Sequence, residues 1–214
     1  MKIIIIGVKG TAIDVGEQIV NAREQFNSPV ELLGWAGDDE TLGPEINNYP
    51  VLCKPRELVD KFDDPDIKLI FCLYKANKME ERVNLLSSYG IAPSRFTNFI
   101  HPTAYVAKSV TMGVGNAILS HTSVFSNVRM GDYNIFYSGS IIGHDTQIGK
   151  SNFFATADVG SECIIGNGIF MGMNCTIKTG LYIDDYAFVG MGANVLRNVE
   201  TRLVVFGNPA RSKQ

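Results

Sequence analysis

The second half of the chain carries an apolar residue at every sixth position. The series runs from Val106 to Phe154, and after one five-residue step it resumes at Val159 and ends at Val195. All 16 positions are apolar, whereas a hydrophobic content of 45% would supply about seven by chance. A six-residue period directs one side chain inward from each flat face, so the pattern predicts roughly five triangular β-helix coils around an aliphatic column.

Glycines mark the corners of the predicted coils. A glycine follows the inward residue in eight units: Gly113, Gly131, Gly143, Gly149, Gly160, Gly166, Gly172 and Gly190. This placement suits a chain that turns every six residues.

The first half has a different pattern, in which short β-branched runs alternate with segments of helical spacing. Strands are predicted at 2–6, 30–35, 49–52 and 67–73, and helices from about 12 to 24 and at 78–89. This alternation is typical of a parallel, Rossmann-like sheet.

Composition changes at the step from Ile100 to His101. Residues 1–100 carry 26 charged side chains and 7 glycines, whereas residues 101–214 carry 15 and 14. The chain is therefore predicted to contain two domains, 1–100 and 101–214, each with its own architecture.

Charge and hydropathy exclude several classes of protein. The net charge is −3 and no basic stripe is present, so nucleic acid is not expected as a partner. The longest apolar run, 69–74, is too short to span a membrane, and no signal peptide is visible. The four cysteines are scattered without metal-ligand spacing, and we expect them to be reduced and mostly buried in a cytoplasmic protein.

Two sets of polar residues in the first half are candidates for ligand binding. Gly7, Lys9 and Gly10 lie between the first strand and the first helix, the geometry that places a phosphate at a helix N-terminus. The segment is not a full GxGxxG motif, so NAD is not expected. Asp38 and Asp39 follow the second strand, where they either hydrogen-bond a ribose or base or act as turn residues.

Only three histidines are available for acid–base chemistry. His101 precedes a proline at the domain junction, where we expect a structural role, and His121 has no acidic neighbour. His144 follows a corner glycine and precedes Asp145, a carboxylate that can orient the ring. A solvated surface pair is the alternative. The three histidines are not obviously convergent, so no metal site is predicted.

The combination of these features resembles a known family. The Gly7 turn, the Asp38-Asp39 pair, His101-Pro102, the segment 142–149 (IGHDTQIG) and the C-terminal segment 207–211 (GNPAR) are similar to hexapeptide-repeat sugar acyltransferases of the sialic acid O-acetyltransferase type. The pattern is closest to the bacterial nucleotide-sugar N-acetyltransferases of bacillosamine and perosamine synthesis. The resemblance implies a left-handed parallel β-helix after the Rossmann-like domain, and a homotrimer with active sites between subunits.

The resemblance also implies a reaction. His144, supported by Asp145, is expected to act as general base while the amine of a nucleotide-linked amino-dideoxy sugar attacks the thioester of acetyl-CoA. Gly7, Lys9, Gly10, Asp38 and Asp39 are expected to bind that nucleotide sugar.

Coenzyme A is expected to meet a second set of residues. The position where family members often carry a further histidine falls at Asn152 or Phe153, depending on where the five-residue step is placed. Asn152 can donate a hydrogen bond toward the thioester but cannot carry a proton. Gly172 and Gly190 are placed to admit the pantetheine arm, unless they only form corners, and Arg211 is placed to meet phosphate. Lys178 and Arg197 are weaker candidates.

Two other functions remain open at this stage. A sugar O-acyltransferase of the sialic acid type would use the same histidine to activate a hydroxyl. A non-catalytic trimeric module would only bind a nucleotide sugar.

Overall fold

The N-terminal half is a five-stranded sheet with helices between its strands. We describe residues 1–39 and 41–212 from a computed structural model. The elements are β1 (Lys2–Ile6), α1 (Thr11–Phe26), β2 (Glu31–Ala36), β3 (Glu45–Ile46), β4 (Tyr49–Cys53), α2 (Leu58–Lys61), β5 (Ile67–Phe71) and α3 (Met79–Ser88), with short 3₁₀ turns at Pro55–Glu57 and Pro93–Arg95. The strand order is β3-β4-β2-β1-β5, and only the β3–β4 pair is antiparallel.

The longer predicted elements of this half are confirmed. Ile3 to Ile6 of β1 are fully buried, because a central parallel strand is covered on both faces. Helix α1 starts after Gly10 and ends at Asn27, whose φ of 54° lies in the left-handed region that terminates helices. The two-residue β3 and the four-residue α2 were not predicted, since periodicity needs longer segments to be visible.

The C-terminal half consists of short strands that repeat at nearly constant spacing. In chain order these strands are β6 (Phe99–Ile100), β7 (Tyr105–Val106), β8 (Thr111–Met112), β9 (Ala117–Ile118), β10 (Ser123–Val124), β11 (Arg129–Met130), β12 (Ile135–Phe136), β13 (Ile141–Ile142), β14 (Gln147–Ile148), β15 (Phe153–Phe154), β16 (Asp158–Val159), β17 (Ile164–Ile165), β18 (Phe170–Met171), β19 (Thr176–Ile177), β20 (Tyr182–Ile183), β21 (Phe188–Val189), β22 (Asn194–Val195), β23 (Val204–Phe206) and β24 (Arg211–Ser212).

These strands form the three faces of a prism. The first face contains β6 and every third strand up to β21, followed by β23 and the antiparallel β24. We call it the covered face because the N-terminal half packs against it. The second face contains every third strand from β7 to β22, and the third face contains every third strand from β8 to β20. Strands within a face are otherwise parallel. The predicted parallel β-helix is therefore confirmed, and its inward column is the predicted series: 14 of the 16 residues are buried, and Val106 and Met112 are partly buried at the first coil.

Three edges join the faces of the prism. The first edge connects the covered face to the second face, the second edge connects the second face to the third, and the third edge leads back to the covered face. Most corners contain one residue with a left-handed backbone; on the second edge these are Asn127, Asp145, Glu162 and Gly180. Such corners let the chain turn sharply while the strands stay in register.

The N-terminal sheet and helices lie against the covered face. Phe153 and Ala117 of this face belong to the same hydrophobic cluster as Ile3 and Trp35. Rings on the outside of the face stack from coil to coil, with centroid distances of 5.2 Å between Phe153 and Phe170 and 5.3 Å between Phe170 and Phe188. The two halves therefore share buried apolar surface.

Polar contacts hold helices α1 and α3 on the prism. On the first edge, Gln18 of α1 accepts a hydrogen bond from the backbone of Ser120 and donates one to Ser138, each at 2.8 Å. On the third edge, Arg202 binds Glu80 of α3 at 2.7 Å. The second edge lies opposite the covered face.

The cysteines and the helices can be compared with the predictions made from the sequence. All four cysteines are free and buried. Within the described ranges, no helix combines the length and apolar character needed to cross a bilayer.

Candidate functional site

His144 and Asp145 form an exposed pair at a corner of the second edge. The imidazole and carboxylate side chains are 51% and 49% exposed. The His144 Nδ1–H donates a hydrogen bond to Asp145 Oδ2 at 2.7 Å, and Asn127, one coil earlier, donates from Nδ2 to Asp145 Oδ1 at 2.9 Å. Both oxygens of the carboxylate are thus held in place.

This arrangement fixes which histidine nitrogen can act as a base. The hydrogen bonds from His144 and Asn127 hold the pKa of Asp145 below its ordinary value, so the carboxylate is ionised and only accepts hydrogen bonds. The proton on Nδ1 therefore faces Asp145, and the lone pair on Nε2 is free to accept a proton from a substrate.

The other two histidines lie on the first edge, away from this pair. His101 is 2% exposed, accepts at Nδ1 from the backbone N–H of Thr103 at 3.2 Å, and donates from Nε2 to Asn21 Oδ1 of α1 at 3.0 Å. Burial lowers its pKa, as expected for a neutral structural histidine. His121 is exposed at the next corner. In residues 1–39 and 41–212, no cluster of His, Cys, Asp or Glu is arranged to hold a metal ion.

A second candidate site is a cavity of about 480 Å³ at the carboxyl ends of β1, β2 and β5. Its lining includes Lys9 after β1, Asp38 and Asp39 after β2, and Lys75 after β5. Lys9 forms an ion pair with Asp39. The lysine and Thr41 both hydrogen-bond the carboxylate and lower the pKa of Asp39 to about 2. Three of the predicted nucleotide-binding residues therefore meet in one cavity.

The two predicted glycines shape the turn behind this cavity. Gly7 has a φ of 137°, and a Cβ there would lie 2.9 Å from the Cβ of Ala12. Gly10 precedes α1 with a φ of 51°. Both positions favour glycine because the backbone is in the positive-φ region, and together they place Lys9 at the cavity.

The structure contradicts the predicted contact between Asn152 and coenzyme A, because Asn152 is part of the buried framework of the prism. Its side chain is fully buried, donates to the carbonyl of Gly166 at 2.9 Å, and accepts from the backbone of Ile169 at 2.8 Å. It is the last member of a ladder on the third edge, in which the amides of Asn98, Asn116, Asn134 and Asn152 each accept from the next coil. The amide is therefore already satisfied and is inaccessible to a thioester in this chain.

The remaining coenzyme A candidates meet at the C-terminal end of the prism. Gly172 and Gly190 are buried corners of the first edge, where a Cβ would lie 2.6 Å from the backbone nitrogen of Met191 and 2.7 Å from the Cβ of Phe206, respectively. Close stacking of coils thus accounts for both glycines. Arg211 is exposed on β24 and pairs with Phe206 in register. Lys178 and Arg197, by contrast, lie on or beside the second edge, as His144 does.

Sequence reasoning missed two contributors to these sites. Asn127 supports Asp145, and the signal for it was the spacing of 18 residues, which is three hexapeptide units. Arg82 of α3 lines the N-terminal cavity, and no motif in the sequence marks it.

The candidate residues form three separate groups in one chain. The His144 pair lies on the edge opposite the covered face, the nucleotide candidates lie in the N-terminal cavity on the other side of the prism, and Arg211 lies at its C-terminal end.

Comparison with known proteins supports the fold over the whole chain. No family model matches. The bifunctional protein GlmU of Streptococcus uberis is 28% identical in an alignment of 137 positions that covers 55% of this chain and 29% of GlmU. GlmU of Clostridium botulinum is 25% identical in an alignment of 170 positions that covers 67% of this chain and 36% of GlmU. The chain thus spans about a third of the length of the curated relatives it matches.

Solved structures match from end to end. A mutant of perosamine N-acetyltransferase from Caulobacter crescentus, in complex with CoA and GDP-perosamine, has a TM-score of 0.80 at 20% identity and covers 100% of this chain and 97% of its own. The acetyltransferase domain of PglB from Neisseria gonorrhoeae has a TM-score of 0.84 at 20% identity, covering 99% of both chains. WeeI from Acinetobacter baumannii has a TM-score of 0.71 at 26% identity, covering 100% of both. The chain shares the two-part architecture of these proteins.

Proposed function

We propose that this protein is an acyltransferase that transfers the acetyl group of acetyl-CoA to the amine of a nucleotide-linked amino-dideoxy sugar. The observation that carries the proposal is the His144–Asp145 pair, with Nδ1 held by the carboxylate and Nε2 left free. Support also comes from the end-to-end likeness to two acetyltransferases, one of them in complex with CoA and GDP-perosamine.

His144 acts as the general base in this proposal. The sugar nitrogen attacks the thioester carbonyl carbon and a C–N bond forms, while Nε2 of His144 accepts a proton from that nitrogen. The C–S bond then breaks, and the departing thiolate of coenzyme A receives the proton from the imidazolium. Asp145 stabilises the transient positive charge on the ring.

The N-terminal half supplies the nucleotide site. We assign residues 1–100 to a Rossmann-like domain in which Lys9, Asp38 and Asp39 bind the nucleotide sugar, and residues 101–214 to a left-handed β-helix domain that carries the transfer. A cavity beyond the carboxyl ends of parallel strands is where open α/β sheets bind ligands. Free, buried cysteines suit a cytoplasmic protein.

The active site is completed between copies of the chain. His144 and the N-terminal cavity lie on opposite sides of the prism, so the sugar of one copy must reach the histidine of a neighbour. We propose a homotrimer, the arrangement that the family resemblance implies, with Arg211 and the glycine corners 172 and 190 near coenzyme A.

The test is thiol release from acetyl-CoA with a panel of UDP-, dTDP- and GDP-linked 4-amino-4,6-dideoxy sugars. We expect turnover with one nucleotide sugar, and we expect His144→Asn to lower kcat about a thousandfold because the base is lost. The matched control is His121→Asn, an exposed histidine on another edge, which should keep native activity.

Three outcomes would contradict parts of the proposal. Full activity of the His144 variant would remove the general base. Turnover only with the matching 4-hydroxy sugars would indicate an O-acyltransferase, and nucleotide-sugar binding without any thiol release would indicate a binding module.

A further inference from the structure

Positive charge is unevenly distributed around the N-terminal cavity. Lys9, which follows β1, is already paired with Asp39. Lys75 and Arg82 line the side formed by the β5–α3 segment, and within the described residues neither of them forms a close ion pair with a carboxylate of the cavity. The cations on the α3 side of the cavity are therefore not paired with Asp38 or Asp39, whereas Lys9 is.

Arg82 has an unusual hydrogen-bonding state. Its Nε is buried and has no partner among residues 1–39 and 41–212, although the side chain as a whole is 24% exposed. Its Nη2 forms an ion pair with Glu81, whose Oε1 lies 3.6 Å away, beyond hydrogen-bond distance. A buried donor without an acceptor is unfavourable, so the side chain gains from a shift that brings its guanidinium onto an anion in the cavity.

The surroundings of Arg82 favour an anion with several oxygens. Tyr89 lines the same cavity, and its pKa is raised by burial and by Asp38, while the positive charges of Arg56 and Arg82 act in the opposite direction. Arg82 is in the first turn of α3, where its backbone N–H donates to the carbonyl of Lys78. Across the cavity, Lys9 stands beside the N-terminus of α1. A planar guanidinium binds two phosphate oxygens at once, and a diphosphate has enough oxygens to contact both sides.

We propose that Arg82, assisted by Lys75, is the diphosphate anchor of the cavity and makes it selective for nucleoside diphosphates over monophosphates. This inference rests on the proposed function only in taking the cavity as the nucleotide site. The diphosphate lies on the α3 side, and the carboxylates of Asp38 and Asp39 remain on the ribose side, where they accept hydrogen bonds from hydroxyl groups.

Nucleotide binding to the full chain tests this anchor without any acetyl transfer. Isothermal titration with UDP, GDP and dTDP, with their monophosphates and with the nucleosides, measures the selectivity. We expect the nucleoside diphosphate of the preferred base to bind about tenfold more tightly than its monophosphate. Arg82→Gln should weaken diphosphate binding about tenfold and leave nucleoside binding unchanged.

Two further variants keep the proposal testable if the Arg82→Gln variant does not fold. Lys75→Gln changes an exposed side chain and should lower diphosphate affinity by about threefold. Arg56→Gln is the matched control, because Arg56 faces the Tyr89 ring at 5.7 Å from outside the cavity lining and should leave binding unchanged.

The outcomes separate the anchor from the reaction. Native diphosphate affinity in both the Arg82 and Lys75 variants, equal affinity for mono- and diphosphates, or binding of no nucleotide at all would overturn the anchor. If diphosphate binding depends on Arg82 but no sugar is acetylated, the anchor stands and the acetyltransferase proposal fails. If acetylation depends on His144 while Arg82→Gln binds diphosphates normally, the reverse holds.

Discussion

At the scale of single residues, the orientation of the His144 ring depends on a chain of two hydrogen bonds. Asn127 holds one oxygen of Asp145 and the histidine holds the other. A carboxylate fixed at both oxygens cannot rotate away from the ring, so the Nε2 lone pair keeps one direction. Asn127 is thus a positioning residue for the proposed base.

Removal of the Asn127 side chain should lower the rate without changing substrate affinity. Asn127→Gly suits the left-handed φ of 61° at this corner, so the fold should persist. We expect kcat to fall about tenfold with unchanged KM for both substrates, because orientation and not binding is lost.

Steady-state kinetics of Asn127→Gly, compared with Asn48→Gly, checks this role. Asn48 also has a left-handed backbone, with a φ of 66°, but lies in the exposed β3–β4 turn. Equal kcat values in the two variants would show that Asp145 needs no support from Asn127.

Sequence alone could predict the His144–Asp145 pair but not its full setting. The pair is visible because its members are adjacent, whereas Asn127 requires knowledge that 18 residues make one coil. The same spacing relates Asn98, Asn116, Asn134 and Asn152, so the buried ladder was visible in principle and argued against an exposed Asn152. Arg82 reaches its cavity through the docking of α3, which periodicity does not encode.

At the scale of elements, His101 connects α1 to the first coil of the prism. Its Nδ1 accepts from the backbone N–H of Thr103 and its Nε2 donates to Asn21, so a proton on Nδ1 would break the bond from that N–H. Burial adds to this preference and lowers its pKa below the ordinary value of 6.5. The unfolded chain, in contrast, takes up a proton near that value.

The stability of the protein should therefore fall as the solution is acidified from about pH 7 to pH 5. A histidine with a lowered folded-state pKa contributes stability above its unfolded pKa and loses it at lower pH, because the unfolded state then binds more protons. Urea unfolding followed by the fluorescence of Trp35, the only tryptophan, measures the change.

His101→Asn should flatten this part of the pH profile. The variant does not titrate and should be about 1 to 2 kcal/mol less stable at pH 8, since it loses the bond to Asn21. His144→Asn, which removes a histidine from another edge of the prism, is the control and should keep the slope. A His101 variant with the native pH dependence would assign the slope to other groups.

At the scale of the whole molecule, the covered face determines what the prism leaves accessible. The N-terminal half occupies that face and contacts the first and third edges, while His144 lies on the second edge. Strand alternation and the six-residue period predicted both architectures. Their mutual packing, through Phe153 and the ring stack, could not be inferred because outward apolar residues on one face do not indicate which surface covers them.

Mixing two inactive variants should restore activity if the site is shared between copies. His144→Asn lacks the base, and Lys9→Glu reverses a charge in the nucleotide cavity. When the two are co-expressed in equal amounts, a native base meets a native cavity in about a quarter of the sites, so about a quarter of the native activity is expected. Each variant alone is the control, and mixtures as inactive as the separate variants would place the whole site within one chain.

The shortened corner at 155–157 shows where this fold tolerates a change in length. The chain is one residue shorter there, yet Phe154 and Val159 on either side remain in the inward column. A deletion within a strand would turn its inward side chains outward. A deletion at a corner, in contrast, leaves the inward residues of every coil aligned. Evolution or protein engineering can therefore change the length of the exposed corners, and so reshape the surface around His144, while the column that supports it stays the same.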